Sequence, residues 1–134
     1  MRRDFRLPEE DEQYLDSLGL PWETVKEGDT RWLVIQNWPV PVGYNQSTVS
    51  AAAIIPPSYP DGQIDMVYFY PHLAVSSGKA VNNLTPRSFE GREWQQWSRH
   101  RTTENPWRPG LDNVASHFLL VDYWLRRELP GVAV

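Results

Sequence analysis

The chain of 134 residues contains no cysteine. That absence excludes disulfide bridges, thiolate metal sites and any covalent chemistry through sulfur. It also lacks a surplus of positive charge: 13 Lys and Arg stand against 17 Asp and Glu, a net charge of −4, which argues against a general nucleic-acid surface. No apolar run approaches membrane-spanning length, and the first residues are charged rather than signal-like. The expected setting is the cytoplasm, with no membrane and no nucleic acid among the partners. Repeats, linkers and low-complexity tracts are lacking too, so the expectation is one domain over residues 1–134, long enough to bury a core without staples.

What the chain has in excess is tryptophan and proline, seven of one and 12 of the other. Tryptophans at that density build a core of large flat rings or line a groove. The prolines cluster at corners. The most informative is Ile54-Ile55-Pro56-Pro57-Ser58-Tyr59-Pro60, followed by the β-like run Asp65-Met66-Val67-Tyr68-Phe69-Tyr70. Proline fixes φ and removes a donor, so such a loop has one shape and cannot join a sheet.

The periodicity predicts a short helix over Leu7–Gly19, with Pro8 at its first position, acids in its first turn and Gly19 at its C-terminal cap. Strands are predicted at Trp22–Val25, Arg31–Trp38, Thr48–Ile55 and Asp65–Tyr70, joined by short links as an antiparallel meander. Pro39-Val40-Pro41-Val42-Gly43-Tyr44 reads as a stiff link, with a partner-binding edge as the second reading. From Pro71 to about Arg92 turn-forming residues dominate, so a long loop is expected, followed by one or two irregular helical turns within Glu90–His100. The last element is an amphipathic helix over Leu111–Glu128. Its apolar positions are Val114, Phe118, Leu119, Val121, Leu125, Tyr123 and Trp124; Arg126 and Arg127 lie in its last turn, and Pro130-Gly131 stops it. The fold class is α+β: an N-terminal helix, a four-stranded antiparallel meander, a long irregular segment, and a C-terminal helix packed on the sheet.

This order, with Pro57, Ser58, Tyr59 and Pro60 standing as a P-x-x-Y-P corner before the fourth strand and Trp107-Arg108-Pro109 before the last helix, resembles the ubiquitin-conjugating (UBC-like) fold over roughly Leu7 to Glu128. The set Pro-Pro-x-Tyr-Pro, Asp65-Met66-Val67-Tyr68, Gly91-Arg92-x-Trp94-Gln95-x-Trp97-Ser98-Arg99-His100 and Trp107-x-Pro109-Gly110-x-Asp112 is similar to prokaryotic ubiquitin-conjugating-like proteins of family E. The resemblance implies a bacterial pathway with a ubiquitin-like protein, an activating-enzyme homologue and a JAB-type metallopeptidase encoded nearby. It implies structural roles for Pro57, Tyr59, Pro60, Pro109 and Asp112.

Departures from the wider family bear on the chemistry. Its His-Pro-Asn triplet stands here as Pro71-His72-Leu73, and its nucleophilic cysteine has no counterpart. Thioester relay needs a thiolate that attacks and leaves readily; a serine alkoxide is hard to form near neutral pH and gives an unreactive ester. Either the absence is natural, giving a pseudoenzyme or scaffold, or a cysteine has been replaced in this chain.

The densest polar-aromatic cluster is Trp94-Gln95-Gln96-Trp97-Ser98-Arg99-His100-Arg101. Read functionally, His100 is an acid or base, Arg99 or Arg101 holds a C-terminal carboxylate, and Trp97 walls a groove. Read structurally, the tryptophans pin a loop to the core and the arginines stay solvated. The binding candidates are Trp97, Arg99, Arg101, His72 and Trp107; the catalytic candidates are Ser98 and His100. A hydrolase using Ser98, His100 and Asp112 is an alternative, although no glycine-flanked elbow exposes the serine. A non-catalytic RWD-like interaction module is another. His72, His100 and His117 match no metal-ligand spacing, so no metal and no cofactor are expected, and His117 is assigned a capping or surface role.

Overall fold

A computed structural model describes residues 1–129. Its elements run α1 (Glu9–Ser17), β1 (Trp22–Glu27), β2 (Thr30–Pro39), β3 (Thr48–Ile54), β4 (Asp65–Tyr70), β5 (Leu84–Phe89), β6 (Arg92–Trp97) and α2 (Val114–Arg127). The six strands form one sheet in the order β1-β2-β3-β4-β6-β5, antiparallel throughout. The α+β class, both helices and the first four strands stand as expected. The expected stop at Pro130-Gly131 lies outside the described residues.

The segment after β4 corrects the sequence reading. In place of a long loop and irregular helical turns, β5 and β6 form a hairpin, and β6 pairs with β4. Its two-residue turn is Glu90-Gly91, both at positive φ (49° and 73°), the geometry that suits the right-handed twist of the flanking strands. Asn-Gly or Asp-Gly announces such a turn; Glu-Gly conceals it. Pro86 sits in β5, the outermost strand, where a missing N–H costs no ladder bond on the open side.

Strands β2, β3 and β4 are buried on both faces, which is why they read as continuous apolar runs. Leu33, Ile35, Ala51, Ala53, Val67, Phe69 and Trp97 face the main core, where α2 contributes Val114, Phe118, Val121, Trp124 and Leu125 and α1 contributes Leu15. The alternate residues Trp32, Val34, Ala52 and Tyr68 build a second cluster with Val25, Phe89 and Trp94 on the opposite face. Trp32 in β2 stacks on Phe89 in β5 with ring centroids 4.1 Å apart. In a flat sheet these strands, four positions apart, would be separated by about 19 Å. The sheet therefore coils until its ends meet. The clasp is polar: the Glu90 N–H donates to Glu27 Oε2 (2.8 Å), and Arg2 Nη1 pairs with Glu90 Oε1.

Helix α2 starts at Asn113, whose Oδ1 accepts from the Ser116 N–H (3.0 Å) while Ser116 Oγ accepts from the Asn113 N–H (2.9 Å), a capping box. Two assignments on this helix change. Leu119 and Tyr123 are exposed rather than packed on the sheet. His117 neither caps nor faces solvent: it is fully buried, and its Nε2 meets the carbonyl of Met66 at 2.8 Å. Met66 has a positive φ of 61° at an irregularity between β3 and β4, so His117 ties that bulge to the helix.

Candidate functional site

The proline–tyrosine corner is a structural hub. Tyr59 Oη donates to Asp11 Oδ2 (2.6 Å) and accepts from the N–H of Val114 (3.0 Å), at the start of α2. Asp11 is buried, and its Oδ1 lies 3.4 Å from the same N–H. Burial pushes the Asp11 carboxyl above its ordinary value, with the Tyr59 and Val114 bonds opposing. A carboxylate from α1 and a hydroxyl from the corner thus complete the N-terminus of α2. Pro60 accepts from Trp107 Nε1 (3.0 Å), and Trp107 and Tyr59 lie with centroids 6.1 Å apart. Pro57 belongs to the turn whose Tyr59 N–H donates back to Pro56 O (3.0 Å).

Asp112 organises the approach to α2. It accepts from the Arg108 N–H (2.7 Å) and Ser116 Oγ (3.0 Å), and Arg101 Nη2 lies 3.4 Å away. Burial works to raise this carboxyl, but those donors and charges together hold it below the ordinary carboxylate value. Pro109 sits in the turn that sends the Leu111 and Asp112 N–H groups back to Arg108 O.

Beyond β6 the chain stays extended: the Met66 N–H donates to Arg99 O, and the Ser98 N–H to Asn83 O. Side chains therefore alternate. Trp97, Arg99 and Arg101 point inward; the Arg99 and Arg101 side chains are 7% and 6% exposed. Arg99 Nη1 donates to Asn82 O (3.0 Å), Nη2 lies 3.6 Å from Glu128 Oε2, and the guanidinium stands over Trp97 at 4.9 Å. Burial pulls the Arg99 guanidinium below its ordinary pKa, with Glu128 opposing. Ser98 and His100 share the other side. His100 Nδ1 contacts Asp65 Oδ2 at 2.9 Å, while the partner of Ser98 Oγ is Gln96 Nε2 at 3.4 Å. No hydrogen bond joins Ser98 to His100, and Asp112 is engaged with Arg101 and Arg108. The arrangement lacks the nucleophile–base contact a serine hydrolase needs.

These residues meet α2 along a trough. One cavity of about 420 Å³ is lined by Arg99, Arg101, Arg127, Glu128 and Ser98 among others. A second, of about 530 Å³, shares His100, Arg101, Thr102, Trp124 and Arg127 with it and runs on to Glu104 and Tyr123. Sequence reasoning missed the far wall, because nothing local marks Arg127 and Glu128 as neighbours of Arg99. His72 lies elsewhere: its Nε2 is 3.1 Å from Glu93 O, beside a separate cavity of about 200 Å³. Gln95, named in the cluster without a role, is a buried amide that accepts from Leu73 N–H (2.9 Å) and Trp97 Nε1 (2.9 Å) and donates to Leu73 O (3.0 Å). Leu73 stands third in the reversed triplet, and Gln95 pins its backbone from β6. Among the described residues no group of three His, Asp or Glu side chains is placed to hold a metal ion, and no helix is long and apolar enough to cross a membrane.

A helix leading into a coiled antiparallel sheet, a Tyr-Pro corner before β4 and a helix laid across the sheet define an α+β protein of the UBC-like kind. Residues 7–128 match the family model of Prokaryotic E2 family E, and the chain belongs to that family. No curated protein and no solved structure matches it.

Proposed function

We propose that this chain serves a bacterial ubiquitin-like conjugation pathway by binding a ubiquitin-like protein, its activating enzyme, or both, without carrying the modifier covalently. One observation carries the reading: a family match over residues 7–128 in a chain with no thiol. Acyl relay between proteins runs through thiolates, and a serine ester in their place would be a dead end. The fold keeps the trough between residues 98–105 and α2, with Tyr123 on its wall; Leu119 (73% exposed) lies one turn earlier on the outer face of the helix, toward Pro39–Pro41. The extended tail of a ubiquitin-like protein lies in the trough, and its body rests on that apolar face. The proposed setting is the cytoplasm, with a JAB-type peptidase as a further member of the pathway.

The test mixes the purified chain with the ubiquitin-like protein encoded beside it, the activating enzyme and ATP. The expected product is a reversible complex on gel filtration and no adduct on a denaturing gel run without reductant. A covalent adduct would overturn the non-catalytic reading. Failure to bind either protein would remove the assigned partners. Leu119→Glu should abolish the complex while leaving stability within about 0.5 kcal/mol, because the side chain faces water.

A further inference from the structure

The C-terminal end of α2 carries a local charge imbalance. Glu128 is the carboxylate shared by three cations: Lys79 Nζ at 3.3 Å, Arg99 Nη2 at 3.6 Å and Arg127 Nε at 4.0 Å. Among the described residues no other carboxylate lies within 4.0 Å of these three, although the protein as a whole carries net −4. Arg101 adjoins them, and its Asp112 contact of 3.4 Å is longer than a charge-assisted bond of about 2.8 Å. Two buried donors are left over. Among the described residues the Nε–H groups of Arg99 and Arg101 have no acceptor, on side chains that are both more than nine-tenths buried. Other buried polar atoms, among them the Trp32, Trp38 and Trp94 indole N–H groups, are also unpaired, but these two belong to cationic side chains that share one cavity, and each such donor calls for an explanation. Both arginines line the same 420 Å³ cavity, where Arg127 adds a further guanidinium and Asn82 and Asn83 complete part of the wall.

We propose that this cavity is an oxyanion site, and that its ligand is the free main-chain carboxylate ending a protein tail. The proposal rests on the reading that a ubiquitin-like tail lies in the trough, and it specifies the chemical state of that tail. The cavity continues into the neighbouring one through five shared residues, so the arginines stand at one end of an elongated trough rather than in a closed anion pocket. An extended peptide ending among them places its terminal charge beside planar guanidinium groups suited to paired contact with a carboxylate. A thioester, adenylate or isopeptide has no charge at that carbonyl carbon. The site therefore selects the tail before activation or after release, and the protein retains the unconjugated modifier.

The test follows the Arg Nε–H and tryptophan indole NMR signals of the full chain. Two N-acetylated peptides, Ala-Leu-Gly-Gly with a free carboxylate and the same sequence as a C-terminal amide, are titrated in parallel, with sodium phosphate as a third arm. The acid peptide should move the Arg99 and Arg101 Nε–H signals and bind about tenfold more tightly than the amide. Arg127→Gln, at a half-exposed position, should weaken it, and Glu128→Gln, which removes the competing carboxylate, should tighten it; a merely structural role would not give opposite signs. Equal binding of acid and amide, no binding of either, or shifts confined to other residues would overturn the proposal. Phosphate binding as tightly at the same arginines would overturn the tail assignment. If the intact ubiquitin-like protein binds equally with its terminus free or amidated, this inference fails while the proposed function stands. If the acid peptide binds and no ubiquitin-like protein does, the reverse holds.

Discussion

Tyr59→Phe removes one oxygen atom and leaves the ring in place. The hydroxyl donates to Asp11 Oδ2 at 2.6 Å and accepts from the Val114 N–H at 3.0 Å, so its loss strips a buried carboxylate of its best donor and weakens the capping of α2. A hydrogen bond to a charged group contributes about 1.5–3 kcal/mol, and the acceptor left behind remains out of water, so the expected cost near neutral pH is roughly 2–3 kcal/mol. The pH dependence makes the test specific. Burial raises the Asp11 carboxyl and the Tyr59 bond opposes that rise; without the hydroxyl the carboxyl is raised further. A folded-state value above the unfolded one means the native protein binds the proton more tightly. The group's contribution to stability is full below the unfolded value of 3.8 and is lost as pH rises through the folded value. The variant is therefore penalised most with Asp11 ionised, and the penalty shrinks as pH falls through the raised folded value, because a protonated Asp11 needs no donor. Urea unfolding followed by tryptophan fluorescence on both proteins, at neutral and acid pH, measures the difference directly; titrations common to both cancel. A cost under about 0.5 kcal/mol, or one that grows on acidification, would refute the account of the corner.

Three further outcomes follow from buried groups and the turn. Burial lowers the His117 imidazole from 6.5 to about 4, so the native state holds it neutral; the stability this provides is present above the unfolded value and is lost as pH falls from 6.5 to about 4. That loss is worth about 3 kcal/mol, and the gap between wild type and His117→Gln in urea melts should narrow across the same window. Gln95→Leu leaves the Leu73 N–H and carbonyl and the Trp97 indole N–H without their partner and should cost about 2–4 kcal/mol by denaturant titration. Gly91→Ala meets open space but keeps a φ of 73°, so its cost should be backbone strain alone, about 1 kcal/mol in thermal unfolding.

The elements visible in the sequence are those whose signals are local. Pro8, the acids after it and Gly19 bracket α1; β-branched and apolar runs bounded by turn residues mark the first four strands, and Asp65–Tyr70 is β4 to the residue. The β5–β6 hairpin was hidden for three local reasons. Its turn uses Glu90 where Asn or Asp is expected, Pro86 sits inside β5, and β6 buries Trp94 and Gln95 in succession, erasing alternation. The site was half legible. Trp97, Arg99 and Arg101 stood out as a cluster, but their direction followed from strand-like alternation past β6, which a helical reading of that segment could not supply. Asp65, 35 residues from His100, and Glu128, 49 residues from Lys79, became partners only through folding.

What the amino-acid sequence determined unaided is chemical: without sulfur in a cysteine side chain there is no thioester, whatever the fold. It also determined the short-range elements, because caps, turns and periodic runs act between residues a few positions apart. The tertiary structure decided which charges share one carboxylate and which buried donors go unpaired. Those facts depend on how far the sheet coils and where α2 crosses it, and both are set by packing between residues far apart in the chain.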